Sequence, residues 1–115
     1  MKEADVLRGC LDYLQILKNQ GKLWFMRINS GKALVKKGDR HYSLTLAPEG
    51  TADILVIRDC SYLGPEIVLE VYFLEIKSPI GKQSKVQKEF QQEIEYQGCS
   101  YFIIRDVSEL MEIIN

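Results

Sequence analysis

The chain has a single histidine, His41, which is too few for a histidine-based catalytic triad or a structural zinc site. Cysteine is scarce too: Cys10, Cys60 and Cys99 are widely separated, odd in number and without a Cys-x-x-Cys pair. That pattern does not suit a disulfide framework and fits a reducing, intracellular setting. No uninterrupted apolar run approaches the roughly 20 residues of a membrane span. The opening Met1-Lys2-Glu3-Ala4-Asp5 places charge where a signal peptide needs an apolar core. A cytoplasmic or nucleoid-associated protein with no membrane partner is expected. No repeat, linker or low-complexity segment breaks the 115 residues, so one domain with one core, spanning 1–115, is expected.

An excess of one charge sign is also missing, since the net charge is −1. That argues against a uniformly basic nucleic-acid binder, but the charges are segregated. Lys22, Arg27, Lys32, Lys36, Lys37 and Arg40 stand against one acid, Asp39, and Lys77, Lys82, Lys85 and Lys88 form a second basic group before Glu89. Such clustering suits a chain that meets phosphate on one side, although a charge run can equally be a solvated face. Arg27, Lys32, Lys36, Lys37, Arg40, Lys82 and Lys85 are the candidate contacts to a nucleic-acid backbone.

Two apolar stretches carry charges that do not belong in a strand core. Val71 to Ile76 reads as a buried strand, yet Glu75 and Lys77 flank Ile76 and share a face, about 6–7 Å apart along the strand. Asp53 stands at the mouth of a second apolar run, Ile54 to Ile57, where a lone charge is costly without compensation. The connection Arg58 to Pro65 is hairpin-like, so the strands at 52–57 and about 67–77 should pair antiparallel and bring Asp53 to Glu75. Two facing carboxylates repel, and a divalent cation with hard oxygen ligands compensates them economically.

The remaining elements follow from periodicity. Leu7, Cys10, Leu11, Leu14 and Leu17 predict a helix over about 3–19, with Glu3 at the top of the same stripe. Glu3 is either a first-turn acid favourable to the helix dipole or a third acid of the site. Leu23 to Ile28 predicts a strand, and 31–50 a basic hairpin or flap turning at Lys37-Gly38-Asp39-Arg40. Ser84-Lys85-Val86-Gln87 opens a helix with Val86, Phe90 and Ile94 on one face. Ser-x-x-Gln is a capping-box signature, so Gln87 has a structural role beside any role near a metal. Ser100 to Ile104 predicts a last strand, followed by a helix capped by Asp106 or Ser108 that carries Leu110, Met111, Ile113 and Ile114. A helix between the third and last main strands implies a parallel crossover, hence a mixed sheet with helices on both faces.

Gly50-x-x-Asp53, Glu75-x-Lys77 and the Ser84-x-x-Gln87 helix, with Glu3 upstream, resemble the PD-(D/E)xK nuclease superfamily and, within it, the virus-type replication-repair (VRR-Nuc) nucleases. The usual proline before the first acid is replaced by Ala52. The resemblance implies an α/β restriction-endonuclease-like core and a magnesium- or manganese-dependent, structure-selective DNA endonuclease in a bacterial or phage-infected host cytosol. It implies a homodimer acting on four-way (Holliday) junctions; in the residues themselves, the first helix and the Trp24–Met26 strand are either apolar interface candidates or ordinary core. Catalytic roles fall on Asp53, Glu75, Lys77, Gln87 and Glu3. Metal ligation falls on Asp53, Glu75, the Ile76 carbonyl and Glu3, the last directly or through water. The rival readings are a monomeric flap- or duplex-cutting repair nuclease, a catalytically silent nucleic-acid-binding module, and an interaction domain without nucleic acid.

Overall fold

A computed structural model describes residues 1–60, 64 and 69–115. The chain runs α1 (Glu3–Asn19), β1 (Trp24–Arg27), β2 (Lys32–Lys37), β3 (Arg40–Thr45), β4 (Ile54–Asp59), β5 (Leu69–Ile76), α2 (Lys85–Tyr96), β6 (Ser100–Ile104) and α3 (Val107–Ile113). The expected strand start at Ile67 and most of the connection before it lie outside the described residues.

Four strands form one sheet in the order β1-β4-β5-β6, in which β6 alone is parallel to its neighbour. The crossover through α2 makes that parallel pair possible, because a direct turn can join only antiparallel strands. The architecture is therefore mixed α/β, a mixed sheet flanked by helices.

Alternation along β5 sorts the two faces. Tyr72, Leu74 and Ile76 point to one side, where they meet Ile54, Val56 and Ile104, the α1 stripe Val6, Cys10, Leu14 and Leu17, and Leu110 and Ile114. Val6 belongs to the fully buried stripe of α1, while Leu7 and Leu11 are partly buried beside it. Burying a side chain of this kind stabilises by about 1.5–3 kcal/mol. Leu110 and Ile114 anchor the last helix, whereas Met111 is exposed. Asp106 caps that helix by accepting the Ser108 N–H at 2.9 Å.

Phe73, Glu75 and Lys77 have the opposite parity and face α2, where Phe73 meets the ring of Phe90 edge-on at 5.2 Å between centroids. No residue of α2 is fully buried. Its inward stripe is Gln87, Phe90, Gln91 and Ile94, all half-buried, and Val86 is exposed. The expectation that Val86 belongs to the packed face is thereby corrected: the inner positions beside it are taken by glutamines.

β2 and β3 pair with each other as a separate two-stranded ribbon, with Lys37 opposite Arg40 and Gly38 at φ +63° in the first turn position. Only glycine enters that region without strain, which is why a two-residue turn forms here. Every residue of β3 is exposed. The molecule measures 57 × 31 × 30 Å with a radius of gyration of 16.0 Å. A compact chain of this length would have a radius near 13 Å. The ribbon is rooted beside the sheet, since Ala47 N–H donates to Asn29 O at 3.1 Å and Ile28 N–H to Asp53 O at 2.7 Å.

Candidate active site

The β4–β5 register pairs Ile54 with Leu74, so the next position sets Asp53 opposite Glu75. Asp53 lies one residue before β4 but is held as firmly as a strand residue. Its N–H donates to Leu74 O at 3.0 Å, its carbonyl accepts from Ile28, and its Oδ2 accepts the Ile76 N–H at 2.7 Å. The carboxylate is thus folded back onto β5, toward the strand that carries Glu75.

Glu75 is the one buried charged residue among those described, only 2% exposed. Its Oε1 accepts from Gln87 Nε2 at 2.7 Å and lies 3.9 Å from Lys77 Nζ. Its Oε2 is buried and has no hydrogen-bond partner among the described residues. Lys77 stands just past the end of β5, and its N–H still donates to Ile104 O at 3.0 Å, which continues the parallel ladder and fixes where the side chain leaves the sheet.

Gln87 has the capping role expected of it and, in addition, bonds Glu75. Its Oε1 accepts the Ser84 N–H at 2.8 Å and its own N–H donates to Ser84 Oγ at 3.2 Å, completing the capping box, while Nε2 is left to hold Glu75. Gly50 sets the distance between the two motifs. It has φ +90°, and a Cβ there would meet the Val86 carbonyl oxygen at 2.6 Å, so the loop carrying Asp53 passes the first turn of α2 only as glycine.

The electrostatics follow from this crowding. Burial first, and the Asp53 carboxylate second, push Glu75 up to about 8, against the attraction of Lys77 and the Gln87 hydrogen bond. Asp53 is also raised, chiefly by burial, with the Ile76 hydrogen bond opposing and Glu3 adding to the shift. Tyr101, on β6, is pushed up to about 12, by burial and then by Glu75. A buried carboxyl beside another carboxylate takes up a proton when no cation is at hand.

The structure brings Asp53, Glu75, Lys77 and Gln87 together. Glu3 stays exposed at the start of α1, close enough to act on both acids through space, but it does not join them: no group of three or more His, Cys, Asp or Glu among the described residues could hold a metal ion. Arg27 ends β1 and lowers Asp53. The other basic candidates are dispersed. Lys32 and Lys36 share one face of the ribbon with His41, Ser43 and Thr45, whereas Lys37 and Arg40 lie on the other. Lys82 is exposed, and Lys85 reaches out to Glu89 at 4.0 Å. The basic residues of the ribbon are thus split between its two faces, because alternation in a two-stranded ribbon sends neighbouring lysines to opposite sides.

Sequence reading missed three groups. Gln83 Nε2 bonds Gln91 Oε1 at 2.9 Å and Tyr101 Oη at 3.0 Å, clamping the entrance of α2 to β6. Arg105 Nη1 donates to Ser78 O at 2.8 Å and Gly81 O at 2.6 Å, fixing the turn after Lys77. The only signal for Tyr101 was its parity with Phe73, and a glutamine or arginine in a polar connection gives none.

Comparison with known protein families, curated proteins and solved structures finds no match to this chain. The residues themselves fit a hard divalent cation. Two carboxylates converge, both are raised chiefly by burial, Glu75 also by Asp53, and Glu75 Oε2 is buried without a hydrogen-bond partner among the described residues.

Proposed function

We propose that the chain is a magnesium- or manganese-dependent, structure-selective DNA endonuclease with a PD-(D/E)xK core of the VRR-Nuc kind. The observation that carries this reading is the convergence of Asp53, Glu75, Lys77 and Gln87 on the α2 face of the sheet. Asp53, Glu75 and the Ile76 carbonyl would hold the cation, with Glu3 reaching it through water. Bound there, the cation supplies Lewis acidity to the phosphodiester and acidifies a water molecule.

The chain's own groups do the rest. Ile76 N–H and Gln87 Nε2 each fix one carboxylate oxygen, so both acids are preorganised. Lys77 offers an ammonium on the same face to the charge that develops on the phosphate oxygens. Arg27, the ribbon lysines and Arg40, with Lys82 and Lys85, meet the DNA backbone from around the site.

The preferred substrate is a four-way junction cut by a homodimer, because a two-fold protein matches a pseudo-two-fold branch. In support, the edge strand β1 leaves Trp24 and Met26 exposed at 44% and 43%, and Ile16 of α1 is exposed too. A silent DNA-binding module is favoured by one observation, that Glu3 does not complete a three-acid group. The test is cleavage of end-labelled four-way junction, flap, duplex and single strand by wild type and Lys77→Ala, with magnesium, manganese or chelator. Paired symmetric cuts at the junction, lost in chelator and in the variant, are expected. Cuts confined to flap or duplex would replace the resolvase by the monomeric repair nuclease, and metal-independent binding without cutting would favour the silent module.

A further inference from the structure

The turn that follows Lys77 has ordinary turn residues at its first, second and fourth positions, Ser78, Pro79 and Gly81, but not at its third. Ser78-Pro79-Ile80-Gly81 closes with the Gly81 N–H on Ser78 O at 3.1 Å, and Pro79 in the second position has its φ fixed by the ring. The third position of such a turn usually carries Asn, Asp, Ser or Gly. Here it is Ile80, 91% exposed, the most exposed large apolar side chain among the described residues.

A solitary exposed aliphatic residue needs no explanation on most surfaces. This one differs in how it is held. Arg105, immediately after β6, donates from one nitrogen to the carbonyls at both ends of the turn, so a half-buried cation is committed to keeping it rigid. A Cβ added at Gly81 would meet Ser78 Oγ at 3.1 Å and Lys77 Cδ at 3.5 Å, so the turn rests on the stem of the site lysine. Ile80 is three residues from Lys77, at most about 10 Å of chain. That is about three base-pair rises along a duplex.

Resting on the nuclease reading above, we propose that Ile80 is a wedge that inserts beside an unpaired or terminal base at a DNA branch, next to the phosphate presented to Asp53, Glu75 and Lys77. Apolar side chains on rigid supports part stacked bases in this way. The unfavourable step is unstacking, which is smallest where strands already separate, so the wedge selects branched DNA over continuous duplex. Rigidity matters because a mobile isoleucine would lose on ordering what it gains on insertion.

The test uses the full chain with 2-aminopurine placed at the branch of a four-way junction and at the matched position of a linear duplex. Anisotropy reports binding and 2-aminopurine fluorescence reports unstacking, both in chelator, and cleavage is then measured with magnesium. Wild type should raise the fluorescence of the junction severalfold, Ile80→Ser should lose most of that rise, and Ile80→Phe should keep it. The junction-to-duplex cutting ratio of Ile80→Ser should fall by about tenfold, the effect of withdrawing one apolar side chain from burial. An exposed position makes misfolding of either variant an inadequate explanation. If Ile80→Ser binds, unstacks and selects like wild type, the wedge is wrong and the nuclease reading survives. If wild type neither binds nor cuts any of these DNAs, the nuclease reading fails and the wedge with it.

Discussion

Gln87 divides its side chain between folding and the site: the amide oxygen closes the capping box on Ser84 and the amide nitrogen holds Glu75 at 2.7 Å. Gln87→Ala removes both at once. Loss of the reciprocal capping-box bond, with the Ser84 cap itself kept, and of a hydrogen bond to a buried carboxyl should lower stability by about 1–2 kcal/mol, read from the urea midpoint. Cleavage at saturating junction should fall by about 10²-fold, since Glu75 would no longer be held in place. A stability loss with full activity would confine Gln87 to the cap. The capping role of Gln87 was legible in the sequence because Ser-x-x-Gln has a spacing of its own, whereas its bond to Glu75 was not. Asp53 and Glu75 were legible because charges at the ends of apolar runs contradict the local pattern. Gln83 and Arg105 contradict nothing in their surroundings, so only folding shows what they hold.

At the scale of elements, the antiparallel β4–β5 pair, the parallel β6 and the helix between them were readable from alternation and turn chemistry. The inward face of α2 was readable at Phe90 and Ile94 but not at Val86. Periodicity seeks apolar residues and selected Val86 with Phe90 and Ile94, but the first inward position is taken by Gln87, which donates to the buried Glu75 carboxyl, and Gln91 beside it accepts from Gln83. The β2–β3 ribbon was foreseen, but the split of its basic residues between two faces follows from a register that only pairing sets. Replacing 32–45 by a short turn should leave the four-stranded sheet folded, since the ribbon pairs as a sheet of its own. DNA affinity should fall, and the slope of log affinity against log salt should shrink by about 0.9 for each phosphate that Lys32, Lys36, Lys37 or Arg40 no longer neutralises. Anisotropy titrations between low and moderate salt measure both quantities, and an unchanged slope would remove the ribbon from the interface.

For the whole molecule, the raised carboxyls make stability depend on pH in a defined direction. Glu75 rises from the usual 4.5 to about 8 in the folded chain, so between those values the folded state binds more protons than the unfolded one. The stabilisation linked to that proton is complete below about pH 4.5 and is lost as pH rises through about 8; Asp53 shifts in the same direction. In chelator, the thermal midpoint should therefore decline between pH 6 and pH 9, and Glu75→Gln should flatten the decline. Added manganese should restore the midpoint at high pH by mass action, in wild type but not in the variant. A midpoint that rises across this range in wild type would mean that Glu75 is ionised and compensated without metal.

Whether Asp53 and Glu75 form one cation site is decided by manganese binding, measured by calorimetry near pH 7 in buffers of different ionisation enthalpy. With its carboxyl pushed up to about 8 by burial and Asp53, Glu75 is expected to hold a proton there without a cation, and binding at the pair to expel that proton. A single class of sites is expected, with proton release in wild type and loss of that release, together with most of the affinity, in Glu75→Gln. Manganese binding of equal strength and equal proton release in both proteins, or no binding to wild type at all, would contradict a shared site.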